Sequence, residues 1–497
     1  MDLESTLTLQ LAPRSNVAFR RLLGRLAQGA APSFTQVRVY YDTPSQALYQ
    51  RGLSLCLQQQ ADQWQQIVQW PGRVHPALMQ SAQRITVAEQ ALALDRISSG
   101  KVRRLLLRPD LVTALEPLFT IRSQCQCWLL DDGLGNRLQV CLEQGVVKGK
   151  PWSGKLNQVQ ITLLHGHHES LFALVLELAR ALPLQPVLPA GAAGACVQAA
   201  GIAASVPVRA VPPIVSRQMS TTQAWWVLLQ EVLCHLQGNV AGVLADHDRE
   251  FTHQARVALH RLRALQVVFA SMLPDRAWRR IKPELQWLSQ CLGQLRDVDV
   301  FLAETLPAVG AGLQPADNLT SLRSAMLVRR EQSHQAAHAA LISPRYAVLL
   351  LQLLLRLQPS AAGSALKLRR FVRHTLNRRW RGLIRLARQW KRLSPEQKHD
   401  LRKRAKKLRY ALEFFIPLYS RKGGQRTLKQ LQQLQLALGS MNDGVVAHAL
   451  LSQLPADDAA LKRDRSQVAD WLAQARPDNQ AALRRMLKQL PRKLPLQ

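Results

Sequence analysis

Two stretches of this chain repeat one pattern at a fixed distance, and this repeat restricts the possible folds more than any other feature. Arg402 lies 146 residues after Arg256, and the same offset carries Asp297 onto Asp443. Matches at this offset extend from His253 to Val300, and chance matches would not hold one register over almost fifty residues. The sequence therefore predicts an internal duplication of one structural unit.

The repeated unit has the pattern of an amphipathic helix. Residues 249–269 contain neither Pro nor Gly, and leucines at 259, 262 and 265 recur at the spacing of a buried helix face. A second stripe at the same spacing is basic, and residues three and four apart lie on one side of a helix. These basic ladders are Arg249, His253, Arg256, His260 and Arg263 in the first copy, and His399, Arg402, Lys406 and Arg409 in the second.

A row of like charges on one helix face is self-repelling, so each ladder requires an explanation. A solvated basic face is the simpler interpretation of a single helix, but its presence in both copies favours a surface that binds an anion. A third ladder with the same spacing precedes the second copy, and its members are His374, Arg378, Arg381, Arg385, Arg388 and Arg392.

The charge of the chain is concentrated where the ladders lie. The formal net charge is +33, and residues 201–497 hold 47 Lys and Arg against 20 Asp and Glu. Such an excess is expected to attract a polyanion: nucleic acid, an anionic membrane surface or inorganic polyphosphate. Arginine is much commoner than lysine there, which suits forked hydrogen bonding to phosphate oxygens.

The cysteines and the hydropathy indicate a cytoplasmic protein. The seven cysteines form no C-x-x-C pair, so we expect reduced, buried thiols rather than disulfides or a zinc site. Neither a leader sequence nor an apolar run long enough to cross a bilayer is evident.

The chain divides into a predicted sheet domain and a predicted helical domain. Alternating apolar residues, as at 7, 9 and 11, predict seven or more strands before residue 165 and an antiparallel barrel. Helices are expected at 17–27 and 109–118, and a loop at Gly423–Gly424. The predicted domains are 1–200, a linker at 201–218, and a helical domain at 219–495 with halves at about 219–355 and 365–490.

The duplicated pattern H-x-x-R-x-x-x-H/K-R/K-L-R, followed by L-G-x-x-[RN]-D, resembles the CHAD domain over roughly residues 215–490. The resemblance implies an all-helical pair of related bundles that binds inorganic polyphosphate along a basic surface. We further expect Asp297, Asp299 and Asp443 in the second motif to pair with ladder arginines and orient them. The candidate polyphosphate-binding residues are His253, Arg256, His260, Arg261, Arg263, Arg378, Arg381, Arg385, Arg388, His399, Arg402, Lys406, Lys407 and Arg409.

The N-terminal part resembles the CYTH, or triphosphate-tunnel, fold over about residues 1–200. The resemblance rests on V-Y-Y-D-T-P at 39–44 and R-G-L-S-L at 51–55, and it implies a barrel whose carboxylates hold Mg²⁺ or Mn²⁺. Most positions that should be charged carry neutral residues, so we expect no catalytic residues and no bound metal unless the barrel is active. The neutral replacements are Thr6, Thr8, Cys56, Gln58, Gln69, Thr86, Ala88, Gln158, Gln160 and Thr162.

The expected function is therefore polyphosphate binding with a non-catalytic CYTH-like domain, in the cytoplasm and at polyphosphate granules with other granule proteins. An active inorganic triphosphatase is the first alternative, and it requires acids from elsewhere, such as Glu89 or Glu143. A nucleic-acid-binding protein is the second alternative, although no known reading motif occurs; a membrane partner is not expected. Because the ladder histidines lie among cations, we expect tighter binding near pH 6 than near pH 8.

Overall fold

The structure is a computed structural model of the 497-residue chain. It describes residues 4–27, 31–48, 51, 53–60, 63–71, 79–149, 153–187, 206–211, 215–273, 275–313, 318–356, 367–419, 421–454, 458–474 and 479–495. The chain forms two compact units, a sheet unit of Met1–Val206 with Ile342–Gln358, and a helical unit of Pro207–Leu341 with Pro359–Gln497. The linker predicted at 201–218 lies partly outside the described residues, at 201–205 and 212–214.

The sheet unit contains one antiparallel sheet of nine strands in the order β5-β4-β3-β2-β6-β7-β8-β1-β9. Alternation of buried and exposed residues along the strands follows the two-residue period of a sheet. The strands are β1 Glu4–Leu11, β2 Ser33–Asp42, β3 Ser54–Gln60, β4 Gln63–Pro71, β5 Met79–Val87, β6 Glu116–Asp131, β7 Arg137–Gly149, β8 Ser153–His165 and β9 Leu184–Pro186.

The predicted antiparallel β architecture is confirmed, but over the described residues the sheet does not close into the predicted barrel. β1 pairs with β8, and four residue pairs between Glu4–Leu7 and Met79–Ala82 also join β1 to β5. Among the described residues, β5 at one end of the strand order meets β1 through these four pairs only, and β9 adds a ninth strand beside β1 over three residue pairs.

Short helices accompany the sheet, and one of them comes from late in the sequence. Pro344–Arg356 packs against the helix His168–Ala181 and against β9, so this segment belongs to the sheet unit, whereas the predicted boundaries assigned it to the helical domain. The helices of the sheet unit are α1 Asn16–Leu26, α2 Gly100–Leu106, α3 Pro109–Val112, α4 His168–Ala181 and α10 Pro344–Arg356.

Two local predictions for the sheet unit are wrong. The helix expected at 109–118 ends at Val112, because the following residues pair with β2 from Glu116 onward, and tertiary pairing outweighs local propensity. The cysteines are not all free thiols. Cys127 and Cys141 face each other across β6 and β7 and form a disulfide, a proximity that sequence spacing alone does not reveal.

The helical unit is built from ten helices in its described part. Their amphipathic faces bury a continuous set of leucines, with Trp225 and Trp380 completely buried among them. The helices are α5 Thr221–Leu244, α6 Arg249–Phe269, α7 Asp275–Val300, α8 Leu306–Gly312, α9 Thr320–Leu341, α11 Leu368–Arg388, α12 Pro395–Phe415, α13 Arg421–Ser452, α14 Ala459–Gln474 and α15 Asn479–Gln489.

The duplication is visible in the helix boundaries. α6 and α12 each span 21 residues, and both ends are displaced by the same 146 positions that relate the two sequence copies. Even the N-caps correspond: the side chains of Asp248 and Ser394 accept hydrogen bonds from backbone N–H groups of the first turn. The two copies are therefore two versions of one helical unit.

The prediction of a loop at Gly423–Gly424 is wrong, because both glycines lie inside α13. A side chain at position 423 would place its Cβ only 2.8 Å from the Pro495 carbonyl oxygen, so the close approach of the two segments favours glycine there. α5 is long and apolar enough by composition to span a bilayer, but 61% of its most apolar window is buried inside the protein. Burial of this extent is what a core helix shows.

Candidate functional site

The repeated helices bring the two basic ladders onto one surface. α6 and α12 pack directly against each other, and the equivalent residues Phe269 and Phe415 meet with ring centroids 6.2 Å apart. Contact between equivalent residues places the approximate symmetry axis of the duplication at this interface. The ladders of the two helices therefore face the same cleft.

The cleft has a volume of about 1410 Å³ and lies within the helical unit. Eleven Lys and Arg residues and three acidic residues line it, an excess of eight cations. It contains every ladder position from His253 to Arg263 and from His399 to Arg409. The charged and histidine residues of the lining are Arg209, His253, Arg256, His260, Arg261, Arg263, Lys282, Arg296, Asp297, Glu304, His399, Arg402, Lys403, Lys406, Lys407, Arg409 and Glu413.

Arg256 is positioned by helix α7. Its guanidinium lies over Gly293, where an added Cβ would be only 2.5 Å from Nη1, so the glycine leaves the space that the arginine occupies. Asp297, one turn further along the same helix, lies 3.8 Å from Nη2 of Arg256. Gly293 and Asp297 of the second motif thus act together on one ladder arginine.

Lys406 is the most perturbed lysine of the cleft. Burial, and then repulsion from Arg256, Arg402, Arg409 and Arg263, lowers its pKa to about 7. A lysine at this pKa exchanges its proton near neutral pH.

The histidines are perturbed in the same direction. Burial, followed by repulsion from Lys406 and neighbouring arginines, lowers the pKa of His260 well below its ordinary value. Burial and repulsion from Arg296 also lower the pKa of His253. The cleft therefore resists additional positive charge, and an anion inside it would reverse that effect.

Arg409 is held in place by three groups. Its Nε donates to Oε1 of Gln435 at 2.6 Å, its Nη1 contacts Oε1 of Glu413 at 2.5 Å, and its guanidinium lies over the Tyr410 ring at 4.0 Å. The Tyr410 ring in turn stacks on His260, with centroids 6.3 Å apart. This stack connects the two helices in the lining of the cleft.

Not every predicted residue contributes a free charge to the cleft. Arg261 is 3% exposed and donates to Glu231 at 2.7 Å, so its charge is neutralised inside the protein. The expected pairing of Asp299 with a ladder arginine is wrong: its carboxylate accepts from Arg330 at 2.8 Å. Residues two apart on a helix point in different directions, so Asp297 and Asp299 cannot both face α6. The side chain of Asp443 lies outside the described residues.

The third ladder is separate from the cleft. Arg378, Arg381, Arg385 and Arg388 are exposed on α11, and none of them lines the cleft. His374 and Arg392 are exposed as well. Lys407, by contrast, lies on α12 at the cleft margin.

In the sheet unit, Glu143 occupies the polar face where the CYTH resemblance would place acids. Burial opposes its charge, but Arg38 and hydrogen-bond donors outweigh burial and hold the pKa of Glu143 below its ordinary value. Its carboxylate accepts from five side chains, which are Gln36, Arg38, Ser123, Gln158 and Gln160.

These contacts leave the Glu143 carboxylate occupied by protein donors, so it does not fit a Mg²⁺ or Mn²⁺ ligand. Thr6 and Thr162 hydrogen-bond to each other at 3.0 Å on neighbouring strands, and Glu89 is exposed outside the strands. Within the described ranges, no group of three or more His, Cys, Asp or Glu residues is placed to hold a metal ion. The side chain of Glu4 lies outside those ranges.

The fold and the cleft define a duplicated helical domain with a concave basic surface. The CHAD domain profile matches residues 227–452. The crystal structure of the CHAD domain from the plant Ricinus communis is 30% identical, with a TM-score of 0.50; the match covers 58% of this chain and 99% of that chain. The chain therefore belongs to the CHAD domain family.

Two other solved structures show weaker likeness. PptA from Streptomyces chartreusis is 18% identical with a TM-score of 0.42, over 54% of this chain and 98% of that chain. On the N-terminal side, the Hippeastrum protein HpAC1, for which a dominant triphosphatase activity is described, is 11% identical with a TM-score of 0.26, over 37% of this chain and 90% of that chain. Likeness at this level supports no conclusion about the activity of this chain.

Proposed function

We propose that this protein binds inorganic polyphosphate in the cleft between α6 and α12. The observation that carries the proposal is the convergence of two duplicated ladders on one cleft with an excess of eight cations. Membership of the CHAD domain family supports a polyphosphate-related function. A linear chain of phosphates is a ligand whose repeated negative charges match the repeated cations on the two helices.

Binding would relieve the repulsion that is built into the cleft. Arg256 and Arg402 occupy equivalent positions in the two copies, and repulsion between them contributes to the lowered pKa of Arg256, after burial and together with Arg296. Each phosphate placed between the ladders would neutralise cations from both helices and release counterions. The affinity should therefore fall steeply as salt is raised.

The described residues favour a non-catalytic sheet unit, and we propose that it serves as a scaffold or docking surface. Glu143, the acid that could have replaced the missing metal ligands, is engaged by Arg38 and four further donors. A nucleic-acid reader is less well supported, because Trp225 and Trp380 are fully buried and cannot stack bases.

One titration series separates these possibilities. Labelled long-chain polyphosphate is bound to the full-length protein at fixed salt, then challenged with unlabelled duplex DNA, while phosphate release is followed with and without Mg²⁺ or Mn²⁺. The proposal expects tight binding, poor displacement by DNA and no release. Preferential binding of DNA would refute polyphosphate as the ligand, and metal-dependent release would refute a non-catalytic sheet unit.

A further inference from the structure

Helix α11 carries a basic surface that the cleft does not include. Its 21 residues contain eight arginines and no acidic residue. Arg378, Arg381, Arg385 and Arg388 are exposed along one face, and in the described part of the chain none of the four has an acidic side chain within ion-pair distance. We call these four residues the α11 stripe.

A continuous path of cations joins the α11 stripe to the cleft. α11 packs against α12, and Nη1 of Arg404 reaches to 3.6 Å from where a Cβ on Gly382 would lie. At the cleft margin, burial and then repulsion from Arg263 and Arg379 lower the pKa of Lys407. The side chain of Arg379 in turn donates to the Val267 carbonyl on α6 at 3.5 Å. Arg379 thus lies between the cleft and the stripe.

The path then turns onto the exposed face of α11. Burial, followed by repulsion from Arg378 and Arg404, lowers the pKa of Arg379. Arg378 is its neighbour in sequence and lies about 100° further round the helix, where the stripe begins. Asp400, the acid on α12 nearest this path, is held by Arg404 at 2.8 Å.

We propose that the α11 stripe is a second binding segment for the same polyphosphate chain, occupied only when the chain is long enough to leave the cleft over Lys407 and Arg379. This proposal rests on the proposed function and adds a preference for long chains. Continuity identifies the occupant: an anionic chain that emerges from the cleft at Lys407 meets further cations, and the described residues place no unpaired carboxylate on this path. A single strand of charge loses about 0.7 in its logarithmic salt slope for each cation contact removed.

The test compares two triple variants of equal charge change in the full-length protein. Arg378→Gln, Arg381→Gln and Arg385→Gln remove three stripe charges. Arg323→Gln, Lys462→Gln and Arg463→Gln remove three exposed charges from α9 and α14 of the same helical unit. Affinities for tripolyphosphate and for long-chain polyphosphate are measured over a range of salt concentrations.

We expect the stripe variant to bind long chains more weakly, with a salt slope reduced by about 2, and to bind tripolyphosphate as the unaltered protein does. The control variant should change neither. Equal losses in both triple variants, or no loss for long chains, would overturn the stripe while leaving binding in the cleft intact. Failure of the unaltered protein to bind any polyphosphate would overturn the proposed function together with the stripe.

Discussion

Lys406 should make polyphosphate binding sensitive to pH. Its pKa is lowered to about 7 by burial and by the arginines that surround it, and a bound polyanion would favour the charged form and raise that pKa. If only the protonated lysine binds fully, the competent fraction falls from about nine-tenths at pH 6 to about one-tenth at pH 8. The affinity should then fall about tenfold between these two pH values.

The substitution Lys406→Arg isolates this effect, because an arginine at the same place stays charged across the range. His253 and His260 act in the same direction, since both have a lowered pKa in the free protein. The assay is titration of long-chain polyphosphate at pH 6, 7 and 8 and constant ionic strength. Absence of pH dependence in the unaltered protein, or retention of the whole tenfold change by Lys406→Arg, would contradict this role of Lys406.

Three further predictions follow from the packing. Gly293→Ala should raise the free energy of unfolding in urea by about 0.5–1 kcal/mol, because alanine favours a helix. The same change should weaken polyphosphate binding in a titration, because the added Cβ displaces the Arg256 guanidinium. Glu143→Gln should cost the sheet unit about 3–5 kcal/mol, since it leaves the buried Arg38 charge uncompensated, and should leave polyphosphate affinity unchanged in a binding titration. Phe415→Ala should cost about 3–5 kcal/mol in chemical unfolding, because the side chain is fully buried against Phe269 at the interface of the two copies.

The helical unit was largely predictable from sequence because its signals are periodic and repeated. The 146-residue offset predicts that α6 and α12 are copies of one helix, and their boundaries confirm it, since both ends differ by 146 positions. The same holds within α13, where leucines at 431, 434 and 438 recur at helical spacing and all three are buried. Hydrophobic periodicity can be recognised in a sequence without knowledge of the tertiary contacts.

The features that could not be predicted from the sequence are those that depend on which helix faces and which strands come into contact. The ladders on α6 and α12 enter one cleft, whereas the equally regular ladder on α11 faces away from it. The low pKa of Lys406 arises from burial and from arginines on both copies, so no single helix predicts it. Similarly, the Cys127–Cys141 disulfide follows from strand register rather than from spacing.

The most direct test of the account is the salt dependence of long-chain polyphosphate affinity for the unaltered protein and for Arg256→Gln/Arg402→Gln. Arg323→Gln/Lys462→Gln, which removes two exposed charges outside the cleft, is the matched control. We predict a large loss of affinity and a salt slope reduced by about 1.4 for the cleft variant only. Unchanged binding by the cleft variant, with its fold intact by thermal unfolding, would contradict the assignment of the cleft as the polyphosphate site.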